Sequence, residues 1–235
     1  MSRSRAISKK IYNRVLEDFV RPFVLGAGFD ATNEKDGFQH WQGDCLWHLY
    51  CDFRMEKDRD EGWIELTVSI GFRSLDRFLQ KYPELGRINP KQPCAMAAGT
   101  GRLRGGPPYQ AVQWRILPDT DPDAIGPEVV EEIKNWALPY FERYGSLDKA
   151  LTAWEAGIFF NTPFPAGDCY MAAAYWLKGD RDRALNHIRK RLEDWREFYR
   201  KEGRHSTTRT IGGYERFLKF LEKEYAIDQG IKRQV

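Results

Sequence analysis

Along Trp63–Phe72 apolar and polar positions alternate: Ile64, Leu66, Val68 and Ile70 on one side, Trp63, Glu65, Thr67 and Ser69 on the other. A repeat of two is that of an extended strand with one buried face. Cys45–Arg54 carries a similar alternation, with Cys45, Trp47, Leu49, Cys51 and Phe53 opposed to Leu46, His48, Tyr50 and Asp52. Between them Met55–Gly62 is almost wholly charged and ends in glycine, so the two segments are predicted to form a hairpin. A lone hairpin is marginal in water, so its apolar face needs a cover. One-sided alternation also fits an antiparallel sheet better than a parallel one, whose strands are apolar on both faces.

The cover is predicted upstream. Ile11, Val15, Phe19, Phe23 and Val24 recur at helical spacing within Ser8–Ala27, widened by Leu16 and Val20, and Gly26–Phe29 closes the helix. Pro22 inside this run predicts a kink or a second short helix. Phe38–Gln42 reads as a short strand, Leu75–Lys81 as a short helix, and Asn89–Pro108, dense in Gly and Pro, as a long mobile loop. Tyr109–Leu117 reads as a further strand and Asp119–Pro127 as a linker. Helices then follow: one starting near Pro127 and interrupted at Pro139, Leu147–Ala156 capped by Ser146, then Asp168–Lys178, Arg181–Lys201 and Ile211–Tyr225. The fold expected is α+β: a helix-backed antiparallel β-meander over residues 1–120, then a C-terminal helical region over 121–235.

Composition narrows this little. The 235 residues suffice for one large or two small domains, and a formal charge of +3 does not by itself point to nucleic acid. In the run Arg181–Arg204 acids interleave with the bases, which also disfavours a nucleic-acid face. Cys45, Cys51, Cys94 and Cys169 form no C-x-x-C pair, and six residues of strand separate the first two too far for a disulfide. No apolar run is long enough to span a membrane, and the basic N-terminus leads into an amphipathic helix rather than a signal-peptide core, so a cytoplasmic location is expected.

Candidate chemistry is sparse. Gly99–Gly106 carries Arg102 and Arg104 among glycines but matches neither G-x-G-x-x-G nor a P-loop, so it reads as a surface loop, with Arg102 and Arg104 as its ligand candidates. His40, His48 and Asp52 lack metal-ligand spacing, and no nucleophile motif is present; no catalytic residue, metal or cofactor is expected. The outward sheet face offers Tyr50, Trp63, Gln113 and Arg115, residue types that anchor protein interfaces, if Leu49, Ile64 and Trp114 face the helix and the C-terminal helices leave that face open.

Two resemblances add to this. Phe19, Phe23, Gly28-Phe29, Phe38 and the Trp47–Phe53 and Ile64–Gly71 strands, with Leu138–Phe141 and Ser146-Leu147 further on, resemble the bacterial DUF4304 family, which has no assigned function. That resemblance implies a helix-plus-meander domain and no chemistry. Ala172–Asp180 with Ala184-Leu185 resembles the turn of a single tetratricopeptide-type helical hairpin. The expectation that follows is a protein-interaction module rather than an enzyme, binding another protein and of the toxin-neutralising immunity type by analogy of fold. A small-ligand site or enzyme site under the 89–108 loop is the alternative.

Overall fold

A computed structural model of the chain describes residues 3–33, 36–55, 61–82, 94–106, 112–158, 166–202 and 206–230. The chain forms two compact units, each discontinuous in sequence: Met1–Gly71 with Met96–Ala150, and Phe72–Ala95 with Leu151–Val235. The division placed near residue 120 from sequence falls inside the first unit. The class is α+β, an antiparallel sheet followed by a C-terminal helical region.

In the first unit, strands β1 (Asp30–Ala31), β2 (Gly37–Gln42), β3 (Cys45–Met55) and β4 (Gly62–Phe72) neighbour one another in chain order. Residues 56–60 of the charged turn lie outside the described residues. Strands β5 (Met96–Gly99) and β6 (Gln113–Ile116) both pair antiparallel with β4, from Ile70↔Met96 to Thr67↔Gly99 and from Glu65↔Gln113 to Gly62↔Ile116. They therefore lie end to end along one edge of β4. The stretch Asn89–Pro108 is not one loop. Instead it holds β5 and a helical turn, α4 (Thr100–Leu103), while residues 89–93 and 107–108 lie outside the described residues. A strand of only four residues, Met-Ala-Ala-Gly, gave too short a pattern to see. The strand expected over Tyr109–Leu117 is described only at β6, residues 109–111 being outside.

Glycine closes this turn. Gly105 has φ +90°, its N–H donates to the Arg102 carbonyl (3.0 Å) and the Gly106 N–H to that of Gly101 (3.1 Å). This pairing is the Schellman cap, whose left-handed position suits glycine. The glycine-rich loop is thus a helix stop.

The cover is helical, as the alternation requires. Helix α1 (Arg3–Arg14) runs through a π-helical turn, Val15–Val20, into α2 (Arg21–Gly26). Tyr12 stacks on Phe53 with ring centroids 4.8 Å apart, and its hydroxyl donates to the Cys51 carbonyl (2.6 Å), fixing α1 over the face that carries Cys51 and Phe53. The fully buried positions are Tyr12, Val15, Leu16, Val20 and Val24, while Phe19 and Phe23 of the expected stripe are half-buried. The wider turn rotates the inward side away from the simple 3.6 repeat.

A second helical run lies beside it. Helix α5 (Pro122–Glu132) starts five residues before Pro127, because the Asp121 carboxylate accepts from the Asp123 N–H (3.0 Å) and Pro122 occupies the first turn. It continues through a second π-helical turn, Ile133–Ala137, into α6 (Leu138–Tyr144). Gly126 lets α5 approach Phe19: a Cβ there would collide with the phenyl ring. Phe141 of α6 stacks on Trp47 (5.3 Å, 7°) beside Phe29.

The second unit is helical. Helix α3 (Arg73–Leu79) sets Phe78 against Trp176 and Phe220. Helix α7 (Leu147–Glu155), whose last turn belongs here, is followed by α8 (Ala166–Leu177), α9 (Arg181–Glu202) and α10 (Ser206–Asp228). Helices α8 and α9 form a hairpin with Ala172, Ala173, Ala174 and Ala184 buried. Arg181–Asp228, Arg189–Glu222 and Arg196–Glu215 ion pairs join α9 to α10 in antiparallel register. No helix among the described residues is long and apolar enough to cross a membrane.

Candidate functional site

One face of the second long helical run lines a cleft in the first unit. Glu128, Glu131, Glu132, Asn135 and Trp136 recur at helical spacing from α5 into the π-helical turn. Opposite them stand Val112, just before the edge strand, Trp114 of that strand, and Arg104 at the end of α4. Together they enclose a cleft of about 350 Å³, open on one side. Three carboxylates, two indoles, an amide and a guanidinium line it.

Its charges are arranged in depth. Glu132 lies at the bottom with a side chain 1% exposed, and Arg104, whose side chain is 46% exposed, grips it bidentately through one guanidinium edge, Nε donating to one carboxylate oxygen at 3.2 Å and Nη2 to the other. A buried carboxylate needs such a partner. The same guanidinium stands over the Trp136 indole, 5.7 Å from its centroid. Glu131, nearer solvent, is held by Lys134 (3.3 Å) and accepts from the Asn135 amide (3.2 Å). Trp136 is among the exposed large hydrophobic residues at 37%.

The two arginines proposed for the glycine-rich loop therefore separate. Arg104 lines the cleft. Arg102 donates to the Gly106 carbonyl (2.8 Å) and ties the loop to itself.

The other candidates lie on the opposite face of the sheet. Trp63 and Glu65 pair with Arg115 and Gln113, while Trp114, between those two, pairs with Ile64. Gln113 donates to Glu65, which also takes Arg54 (3.0 Å). Arg115 grips Glu61 (Nε at 3.0 Å) and lies over Trp63, 6.0 Å from the ring centroid. Gln113 and Arg115 are exposed and Trp63 half-buried. Tyr50 shares this side with Arg54 by strand parity and is half-buried, its ring packed on Gly37. These side chains are engaged with neighbours on the sheet, and they do not meet Arg104.

His40 and His48 do not converge either. His40 pairs across the strands with Trp47, and His48 with Gln39, so the histidines point to opposite faces. His40 donates from Nδ1 to the Gly28 carbonyl (2.6 Å). Among the described residues no three His, Cys, Asp or Glu side chains gather as metal ligands. Burial pushes the Cys45 thiol up to about 12, and lifts Cys51 and Cys169 as well. Such thiols are core groups rather than nucleophiles.

A second polar centre, missed from sequence, lies inside the helical unit. Asp168 accepts from His187 Nε2 (3.2 Å) and from the Tyr214 hydroxyl, and it forms an ion pair with Arg191, whose Nε lies 3.1 Å away. Burial alone would raise its pKa, but the hydrogen bonds from His187 and Tyr214 and the Arg191 charge hold it below the usual carboxylate range. Burial and the adjacent carboxylate push the Tyr214 hydroxyl well up. This centre ties α8, α9 and α10 together. The signal in the sequence was weak: an Asp opening a helix and a Tyr and Arg on charged helices, far apart in the chain.

Fold and site define an α+β protein with a helix-backed antiparallel sheet and an acidic, tryptophan-lined cleft. No family model, curated protein or solved structure matches the chain.

Proposed function

We propose that this chain is a protein-interaction module whose recognition site is the cleft between the edge strand β6 and the α5 helical run. The carrying observation is that an exposed Trp136 rims a cleft floored by an ion pair, Arg104 with Glu132. Tryptophan and arginine are the residue types that dominate interface energetics when they flank a pocket. The open side suits a segment of another protein. The immunity-type version of this reading predicts a dedicated partner encoded beside it, and a large secreted toxin as the neighbouring gene would support it. A small-molecule reading of the same cleft is favoured by its volume alone, at the lower end of ligand-site sizes.

The test is affinity capture from the source organism with the wild-type chain and with Trp136→Ala, and mass spectrometry of retained proteins and small molecules. A dominant protein held by the wild type and lost with Trp136→Ala supports the module. Equal retention by both chains removes the cleft from the function. A small molecule retained without any protein replaces this reading with the second.

A further inference from the structure

We propose that the cleft seats an arginine side chain presented by a basic segment of the protein partner; this rests on the binding role proposed for the cleft. The lining opposes three carboxylates to one guanidinium, so it is locally acidic within a chain of formal charge +3. The resident guanidinium is already committed to the deepest acid, since Arg104 satisfies Glu132. What remains is nearer the mouth. Glu128 has no ion-pair partner among the described residues, and Glu131 has a solvent-exposed pairing with Lys134, which is weak. An incoming cation thus meets two carboxylates, one turn apart on α5, above a pair that is neutral overall.

The indoles select the kind of cation. Arg104 shows how the cleft holds a guanidinium, against the Trp136 ring and in a fork with a carboxylate. A guanidinium is planar, weakly hydrated and suited both to stacking and to bidentate pairing, whereas an ammonium is a hydrated point charge. A volume of about 350 Å³ accommodates one long side chain with part of its backbone, and the open side lets the rest of the segment pass.

The probe is a five-residue capped peptide, Gly-Gly-Arg-Gly-Gly, titrated into the full chain at low salt with the indole N–H resonances as readout. Versions with citrulline and with lysine in place of arginine run beside it. The arginine peptide is expected to shift the Trp114 and Trp136 resonances, to bind about tenfold more tightly than the citrulline peptide and severalfold more tightly than the lysine one. Glu128→Gln combined with Glu131→Gln, on the exposed helix face, is expected to weaken binding about tenfold with an unchanged urea midpoint. Equal affinity for arginine and citrulline, an unweakened double variant, or shifts confined to other tryptophans overturns the proposal. If the peptides fail while a protein is still captured through Trp136, the arginine seat falls and the interaction cleft stands. If capture is indifferent to Trp136, both fall.

Discussion

Asp168 is buried and ionised, and His187, Arg191 and Tyr214 keep it so. Its pKa is depressed in the folded chain, so at acid pH the unfolded chain binds more protons. The stability it contributes is complete above the ordinary aspartate value of about 3.9 and is lost as pH falls below it. Asp168→Asn should therefore be less stable than wild type by about 3 kcal/mol near neutrality, since Arg191 is left beside a neutral amide. The gap should narrow below about pH 4, which urea titrations of both chains across that range would show; a constant gap would mean that the charge is not what matters. Arg104 and Glu132 make the parallel case in the sheet unit. Arg104→Gln strands a carboxylate that is 1% exposed. The loss is expected at about 2 kcal/mol, below the usual value for a buried pair because Arg104 itself is half in solvent. Adding Glu132→Gln should recover about 1 kcal/mol of it in a double-mutant cycle, and strict additivity would show the pair to be uncoupled.

The helices show what a pattern of apolar residues can and cannot tell. Pro22 and Pro139 each follow a π-helical turn by two residues, Val15–Val20 and Ile133–Ala137. The proline ring clashes with the carbonyl four residues back, and in both cases that carbonyl lies inside the widened turn, which gives the ring room without breaking the helix. Sequence marked both prolines as interruptions. It did not supply the π-helical alternative, and it also missed Tyr12, upstream of the widened turn, as a buried position. The β3–β4 hairpin was legible to within a residue because period-two alternation over eleven positions is a strong signal. The cleft was half legible: Arg104 stood out among glycines, whereas Glu128, Glu131, Glu132 and Trp136 read as an ordinary helix. Only the edge strand opposite them turns that face into a site, and such pairing is long-range. The helix crossing at Gly126 is testable at this scale. Alanine favours helix by about 1 kcal/mol over glycine, so Gly126→Ala would stabilise an isolated α5. Here the added methyl collides with Phe19, and overpacking typically costs more than that gain. A net loss of about 1 kcal/mol is expected by urea denaturation, with Gly126→Ala combined with Phe19→Leu recovering part of it; a stabilised single variant would show that Phe19 moves freely aside.

For the whole molecule, the telling feature is where the chain leaves the sheet. Strand β4 ends at Phe72 and β5 begins at Met96, yet Ile70 and Met96 are direct antiparallel partners. Between these partners the chain enters the second unit, where α3 sets Phe78 against Trp176 and Phe220 and Tyr82, just after α3, meets Phe217. Two deletions separate these roles. Joining Gly71 to Met96 through a short Asn-Gly turn and ending at Ala150 restores a connection of the length that antiparallel neighbours favour. That chain keeps all six strands, β4 shortened by Phe72 alone, and otherwise loses a segment whose aromatic partners are gone. It should give dispersed amide resonances and a single cooperative urea transition. A plain fragment of residues 1–150 retains α3 with Phe78, Leu79 and Tyr82 stripped of Trp176, Phe217 and Phe220, and so exposes a large apolar stripe. It should bind a hydrophobic dye and self-associate where the turn-closed chain does not. If instead the turn-closed chain is the one without cooperative unfolding, residues 72–95 belong to the folding of the sheet itself, and the two units are one domain energetically.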